Sequence, residues 1–161
     1  MSQDDLERLV REHRLAWQEF DDAEVRGFWS KAITAFGETR VRGISTDTSL
    51  QIAYRACLQA TLAVLAAIGL RPKSTAGHYI AFYSLQQLDD EALRRIAIQF
   101  DELRSTRAES VYEPNDDEVE LQRQLGHATQ ALENGLPLMR AWLIKTRPSL
   151  GILLPTEPKR T

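Results

Sequence analysis

The stretch Leu50–Gly69, LQIAYRACLQATLAVLAAIG, decides the fold of this chain. Apolar residues occupy nearly every side of a helix of about 3.6 residues per turn, and a helix that is apolar all round is buried. The preceding GISTDTS (43–49) offers several N-cap residues, and Gly69 supplies a stop signal. We therefore predict one central helix that is enclosed by other helices.

The remaining sequence also favours helices. Ala, Leu, Gln, Glu and Arg dominate, only 8 of the 161 residues are glycine, and the alternation of β-branched residues that marks strands is nearly absent. A chain of this length suits one domain. We predict an all-α helical bundle over 1–147 as a single domain, followed by an extended C-terminal tail over 148–161. The apolar LGILL patch of this tail (150–154) would dock on the body or on a second subunit.

Five further segments show helical periodicity. They are SQDDLERLVREHRLAWQEF (2–20), AEVRGFWSKAITAFGETRV (23–41), HYIAFYSLQQL (78–88), EALRRIAIQFDELRSTRAESVY (91–112) and a segment running from Asn115 to Trp142. The first places His13 on its apolar face, where we interpret it as a core or boundary histidine. Asp89 or Asp90 would cap the fourth segment and Pro114 would end it, while Pro137 should kink or break the fifth.

Charge and cysteine content exclude several classes of protein. The formal net charge of −3 gives no overall attraction to nucleic acid or anionic membranes, so phosphate binding would need a local basic patch. Cys57 is the only cysteine, which excludes an intramolecular disulfide and a Cys-rich zinc site. The start MSQDDLERL lacks the pattern of a signal peptide, and the longest apolar run, TLAVLAAIGL, is half the roughly 20 residues of a membrane span. We expect a soluble, cytoplasmic protein without a membrane segment.

The sequence lacks the familiar motifs of enzymes and metal sites. It contains no glycine-rich phosphate loop, no Gly-x-Ser-x-Gly elbow and no His-Glu-x-x-His helix. His13, His78 and His127 lie in separate segments, and the acidic run NDDEVE (115–120) fits a helix start better than a metal cluster. We therefore predict neither a metal nor a cofactor.

One arginine stands where the helical pattern calls for an apolar residue. The apolar stripe of the segment over 91–112 consists of Leu93, Ile96, Phe100, Leu103 and Val111. Arg107 falls within this stripe. Burying a guanidinium is costly unless carboxylates, phosphates or backbone carbonyls receive its donors. Arg107 should therefore face a partner, a cleft or a subunit interface.

Arg104 and Tyr112 complete the candidate site. Arg104 lies one turn before Arg107, so the two guanidiniums would share a helix side and could hold one phosphate or one carboxylate network. Tyr112, five positions after Arg107, would direct its hydroxyl into the same region. The residues alone leave one alternative open, a structural network of arginine and carboxylates with Tyr112 as a boundary aromatic.

The order of these elements resembles a known family. The helix AYRACLQATLAVLAAIGLRP (53–72), the loop leading to GHY (77–79) and the helix ending in RSTRAESVYEP (104–114) look like a HEPN domain, the higher eukaryotes and prokaryotes nucleotide-binding class. The resemblance implies an up-and-down bundle of four to six helices, with a HEPN-like core over roughly 46–146. Members form two-fold dimers, and many are metal-independent ribonucleases of toxin–antitoxin or antiviral systems.

The family motif is an arginine, a polar residue after it, and a histidine a few positions later. Arg107 matches the arginine, whereas Ala108 replaces the polar residue and Tyr112 replaces the histidine. A tyrosine with an ordinary pKa of about 10 is a poor general base near neutral pH. The resemblance thus implies a homodimer that binds RNA or a nucleotide through Arg104, Arg107 and Tyr112, with weak or no nuclease activity. It also implies an antitoxin or nucleotidyltransferase as a partner protein.

Two alternatives stay open. The first is a metal-independent ribonuclease toxin that uses Arg107 together with Tyr112 or His78. The second is a non-catalytic structural or interaction protein in which Arg107 only holds a dimer together. The salt dependence of RNA binding distinguishes the structural protein from the two hypotheses that involve RNA. Phosphate contacts make affinity fall steeply with ionic strength, whereas a purely structural protein binds no RNA.

Overall fold

Six helices make up nearly all of the regular structure in the described part of the chain. The computed structural model describes residues 3–73, 77–111, 117–151 and 154–156, with all of their side chains except those of Gln3 and residues 107–111. The elements in chain order are α1 (Gln3–Arg11), β1 (Leu15–Trp17), α2 (Asp22–Glu38), α3 (Thr46–Ala67), β2 (Leu70–Pro72), α4 (His78–Gln86), α5 (Glu91–Val111), α6 (Glu118–Thr146) and a 3₁₀ turn (Pro148–Leu150). The predicted all-α helical bundle is confirmed.

Helix α3 lies at the centre of the bundle, as its composition predicts. It packs against α2, α4, α5 and α6, and more than half of its 22 residues are buried. The hydroxyl of Ser45 caps its start by accepting from the backbone N–H of Thr48, and Gly69 follows its end with a φ of 78°. By length and composition α3 could cross a membrane, but 61% of its apolar window is buried inside the protein, which fits the core helix of a soluble protein.

The predicted helix over 2–20 is wrong beyond Arg11. After α1 ends, His13 adopts a left-handed backbone conformation with a φ of 60°, and its side chain is exposed rather than part of the core. Leu15–Trp17 then pairs antiparallel with Leu70–Pro72. This ladder satisfies backbone groups of the chain that leaves α3. Such a long-range pairing is not encoded in the helical periodicity of the N-terminal segment.

Side-chain caps set the starts of the later helices. Asp21 and Glu24 form a capping box on α2, and Oδ1 of Asp90 accepts from the backbone N–H of Leu93 at 2.9 Å, which confirms one of the two caps predicted for α5. Asp117 caps α6, whereas the predicted start at Asn115 lies outside the described residues.

Helix α6 continues through Pro137, so of the two predicted outcomes, a kink or a break, the break does not occur and the kink stays a prediction. Pro137 costs the helix one backbone donor, and packing of α6 against α3 and α5 compensates for this loss. The fit against α5 is close at Gly135, where an added Cβ would lie 3.3 Å from Cγ2 of Ile96.

The described part of the predicted tail docks on the body. Leu150 and Leu154 are buried. Nε1 of Trp29 donates to the carbonyl of Pro155 at 2.8 Å, and the guanidinium of Arg140 donates to the carbonyl of Leu154. These contacts make Leu150 and Leu154 part of the core.

Candidate functional site

Helix α5 carries both arginines of the predicted site. Arg107 lies within α5, but its side chain is outside the described set, and Tyr112 lies outside the described residues altogether. The apolar stripe leading to them is confirmed in Leu93, Ile96 and Phe100, which are buried. The grouping of Arg107 and Tyr112 with Arg104 therefore stays a prediction.

The guanidinium of Arg104 is held between a carboxylate and an aromatic ring. Its Nε donates to Oδ1 of Asp101 at 2.7 Å, and its central carbon lies 5.3 Å from the ring centroid of Tyr79. Tyr79 is 40% exposed, and its ring lies 5.6 Å from that of Tyr83. A cation over a tyrosine ring within about 6 Å is attracted by the ring quadrupole. Arg104 is thus oriented before any ligand binds.

Tyr54 of α3 and His78 of α4 meet beside this arginine. The hydroxyl oxygen of Tyr54 lies 2.8 Å from Nδ1 of His78, and the two ring centroids are 5.7 Å apart. Burial raises the pKa of Tyr54 to about 12, although the positive charge of Arg104 opposes this rise. At neutral pH the Tyr54 hydroxyl therefore keeps its proton. When that hydroxyl donates to Nδ1, the neutral imidazole carries its own proton on Nε2.

We refer to Arg104, Asp101, Tyr79, Tyr54 and His78 as the α5 cluster. Sequence reasoning identified Arg104 and noted His78, but it missed the other three residues. Tyr54 and Tyr79 join the cluster through contacts between helices, so no local spacing in the sequence reveals them. The one available signal was the three-residue spacing of Asp101 and Arg104 on the same predicted helix.

A polar cleft of about 430 Å³ lies between α5 and α6. Its lining includes four amide side chains and two further polar groups, from Gln99, Gln124, Gln130, Asn134, Thr106 and His127. At its rim, Nε of Arg123 donates to Glu120 at 2.8 Å, and this hydrogen bond lowers the pKa of Glu120 to about 2. The cleft offers donors and acceptors, and sequence reasoning did not anticipate it.

A larger cleft of about 580 Å³ lies between α2 and α6, away from the α5 cluster. Its walls are mostly apolar and include Trp29 and Leu132. At its rim, Arg40 lies 4.7 Å from the ring centroid of Phe36 and pairs with Glu133 at 2.9 Å. None of the residues predicted for the functional site lines it, so it offers no support to that site.

Metal-ligand geometry and similarity to known proteins both bear on the candidate site. Within the described ranges, no group of three or more His, Cys, Asp or Glu side chains is placed to hold a metal ion. No protein-family model, no curated protein and no solved structure matches the chain. The resemblance drawn from the motif around Arg107 stays a prediction.

Proposed function

We propose that this protein binds RNA or a nucleotide at the α5 cluster, with weak or no nuclease activity. The observation that carries the proposal is the guanidinium of Arg104 held over the half-exposed ring of Tyr79. An oriented guanidinium suits a phosphate, and an exposed aromatic ring suits a stacked base. The HEPN-like motif adds Arg107, three residues later on the same helix, as a second cation.

The bond to Asp101 is compatible with phosphate binding. A guanidinium carries five N–H donors, and the bond to Asp101 uses the single donor on Nε. Asp101 fixes the plane of the group, which reduces the entropy lost when a ligand binds. The same carboxylate cancels part of the positive charge, so we expect moderate affinity with a small number of phosphate contacts.

Fluorescence anisotropy with a short single-stranded RNA tests the proposal. Arg104→Ala should weaken binding and flatten its salt dependence, because one phosphate contact is lost. Arg95→Ala is the matched control: Arg95 lies on the same helix, is largely exposed and pairs only with Glu91 in the described structure. Tyr79→Ala should also weaken binding, through lost stacking. Equal effects of the Arg104 and Arg95 substitutions, or no binding at all, would refute the proposal.

The homodimer belongs to the same proposal. An arginine in an apolar stripe needs partner groups, and a two-fold axis through the end of α5 would supply the same groups reciprocally. Light scattering at tens of micromolar protein should give the mass of a dimer, and a monomer would contradict it. The cytoplasmic location stays an expectation from the sequence. The antitoxin or nucleotidyltransferase partner follows from the family resemblance alone, and the genes adjacent to this one test it.

A ribonuclease is the second candidate, favoured by the pairing of exposed His78 with Tyr54. A histidine imidazole can act as the general base that the motif position of Tyr112 lacks. RNA cleavage by the unmodified protein that disappears in His78→Ala would establish this activity. Cleavage that appears only in Tyr112→His would instead support a binding protein with an inactive site. A structural interaction protein would neither bind nor cleave RNA.

A further inference from the structure

The cleft between α5 and α6 contains a buried acceptor that has no hydrogen-bond partner. Gln124 is 9% exposed, its Nε2 donates to Oε1 of Glu120 at 3.2 Å, and its own Oε1 is buried and unpaired. Exchanging the amide oxygen and nitrogen would set an oxygen against the Glu120 carboxylate, so this bond identifies which of the two atoms is the unpaired oxygen. A buried carbonyl oxygen without a donor is costly, and a ligand N–H would relieve that cost.

We propose that Gln124 is a base-recognition residue, and that the cleft takes a 6-aminopurine or 4-aminopyrimidine base, adenine or cytosine. The inference rests on the proposed function, because the base belongs to the RNA or nucleotide bound there. Gln124 already lines the cleft. A partial rotation about its last side-chain bond gives up the 3.2 Å bond to Glu120, which keeps its two hydrogen bonds from Arg123, and brings Oε1 to the cleft surface, where an amino group donates to it.

The size and lining of the cleft suit this ligand. Its volume of about 430 Å³ falls in the usual range for small-molecule sites, roughly 300–1,000 Å³. Gln99, Gln130 and Asn134 also line it. Amide side chains both donate and accept, which matches the mixed edges of nucleobases.

The cleft is connected to the α5 cluster through one residue. A small internal cavity is lined by Tyr54, Leu103, Thr106 and Gln124, among others, so Gln124 and Tyr54 border the same space. Tyr54 in turn contacts His78. Tyr54 of the α5 cluster and Gln124 of the cleft are therefore neighbours in the fold.

Isothermal titration with AMP and IMP tests the inference, because IMP carries an acceptor where AMP carries the amino group. The unmodified protein should bind AMP about tenfold more tightly, a ratio typical of one base contact. Gln124→Leu should abolish this preference and raise the melting temperature, since it keeps the volume and removes the unpaired acceptor. Gln122→Leu is the matched control, because Gln122 is exposed two positions earlier on α6, and it should leave the preference unchanged.

Equal affinity for AMP and IMP, or a preference that survives Gln124→Leu, would overturn the inference. If RNA binding still depends on Arg104 in that case, the proposed function stands and only the base assignment fails. If neither RNA nor AMP binds, both fail together. A preference for AMP that is lost only in the Gln124 variant supports the inference whatever the effect of Arg104→Ala.

Discussion

The hydroxyl oxygen of Tyr54 lies 2.8 Å from Nδ1 of His78, so one hydrogen bond joins the central helix to the exposed start of α4. Through this contact Tyr54, on the central helix, is linked to the surface that carries Arg104 and Tyr79. The pair also makes the tautomer of His78 depend on the protonation state of Tyr54.

Tyr54 should titrate above ordinary tyrosines. Burial raises its pKa from 10.0 to about 12, so the folded state holds this proton more tightly than the unfolded state. Its contribution to the free energy of unfolding is therefore complete below pH 10 and is lost as the pH rises from about 10 to 12. Tyr54→Phe should remove this part of the alkaline sensitivity, measured by chemical unfolding across that range. An identical pH profile in the variant would contradict the assignment.

Leu65 should be far more sensitive to truncation than an exposed leucine. It is fully buried on α3, so Leu65→Ala should cost about 2–5 kcal/mol of unfolding free energy through lost burial and a residual cavity. Leu138 on α6 is 49% exposed and serves as the control, with an expected change of about 0.5 kcal/mol or less. Urea denaturation of both variants measures the difference. A small effect at Leu65 would argue against a central α3.

Two glycines should respond to alanine with opposite signs. Gly69 has a φ of 78°, which an alanine adopts only at a cost of about 1–2 kcal/mol, although the nearest atom to its added Cβ is a comfortable 3.5 Å away. Gly126 lies inside α6 with nothing within 4 Å, so Gly126→Ala should stabilise by about 0.5–1 kcal/mol. Thermal unfolding measures both, and a destabilised Gly126→Ala variant would show that the helix surface there is covered.

Arg147 should contribute more to stability than its neighbour Lys145. Its guanidinium donates to the carbonyls of Ala67 and Phe20 at 3.0 and 2.8 Å and pairs with Asp22 at 3.2 Å. Arg147→Ala leaves these acceptors without their donor and should cost about 1–3 kcal/mol. Lys145 is exposed, and within the described structure its charge near the helix C-terminus interacts only with the helix dipole. Lys145→Ala should therefore lower the free energy of unfolding by less than about 1 kcal/mol. Equal unfolding midpoints for the two variants would refute this role.

Most helices could be predicted from the sequence because their signals are local. The periodicity of α2, α3 and α5, the cap at Asp90 and the stop at Gly69 each lie within a few residues of the structure they specify. The strand at Leu15–Trp17 could not be predicted, because its partner lies more than 50 residues later and the two intervening helices position it.

The residues of the candidate site also differ in whether the local sequence reveals them. Arg104 was identifiable because it lies one turn before an arginine in an apolar stripe. Tyr54 and Tyr79 were not, because their roles depend on the packing of three helices. Asp101 lies three residues before Arg104 on the same helix, so its spacing was available in the sequence. Gln124 illustrates the general difficulty, since a buried glutamine and a solvated one look alike in a sequence and differ only in what surrounds them.

The anchoring of Trp29 to Pro155 has a consequence for biosynthesis. The indole N–H on the second helix reaches its acceptor in a residue that the ribosome adds 126 positions later. Until that residue has emerged, the nascent chain exposes the apolar surface that Leu150 and Leu154 will cover. The helices before them can associate during translation, but the core closes only after Leu150, Leu154 and Pro155 have been synthesised. The intermediate that precedes this closure is the species that a chaperone would need to protect from aggregation.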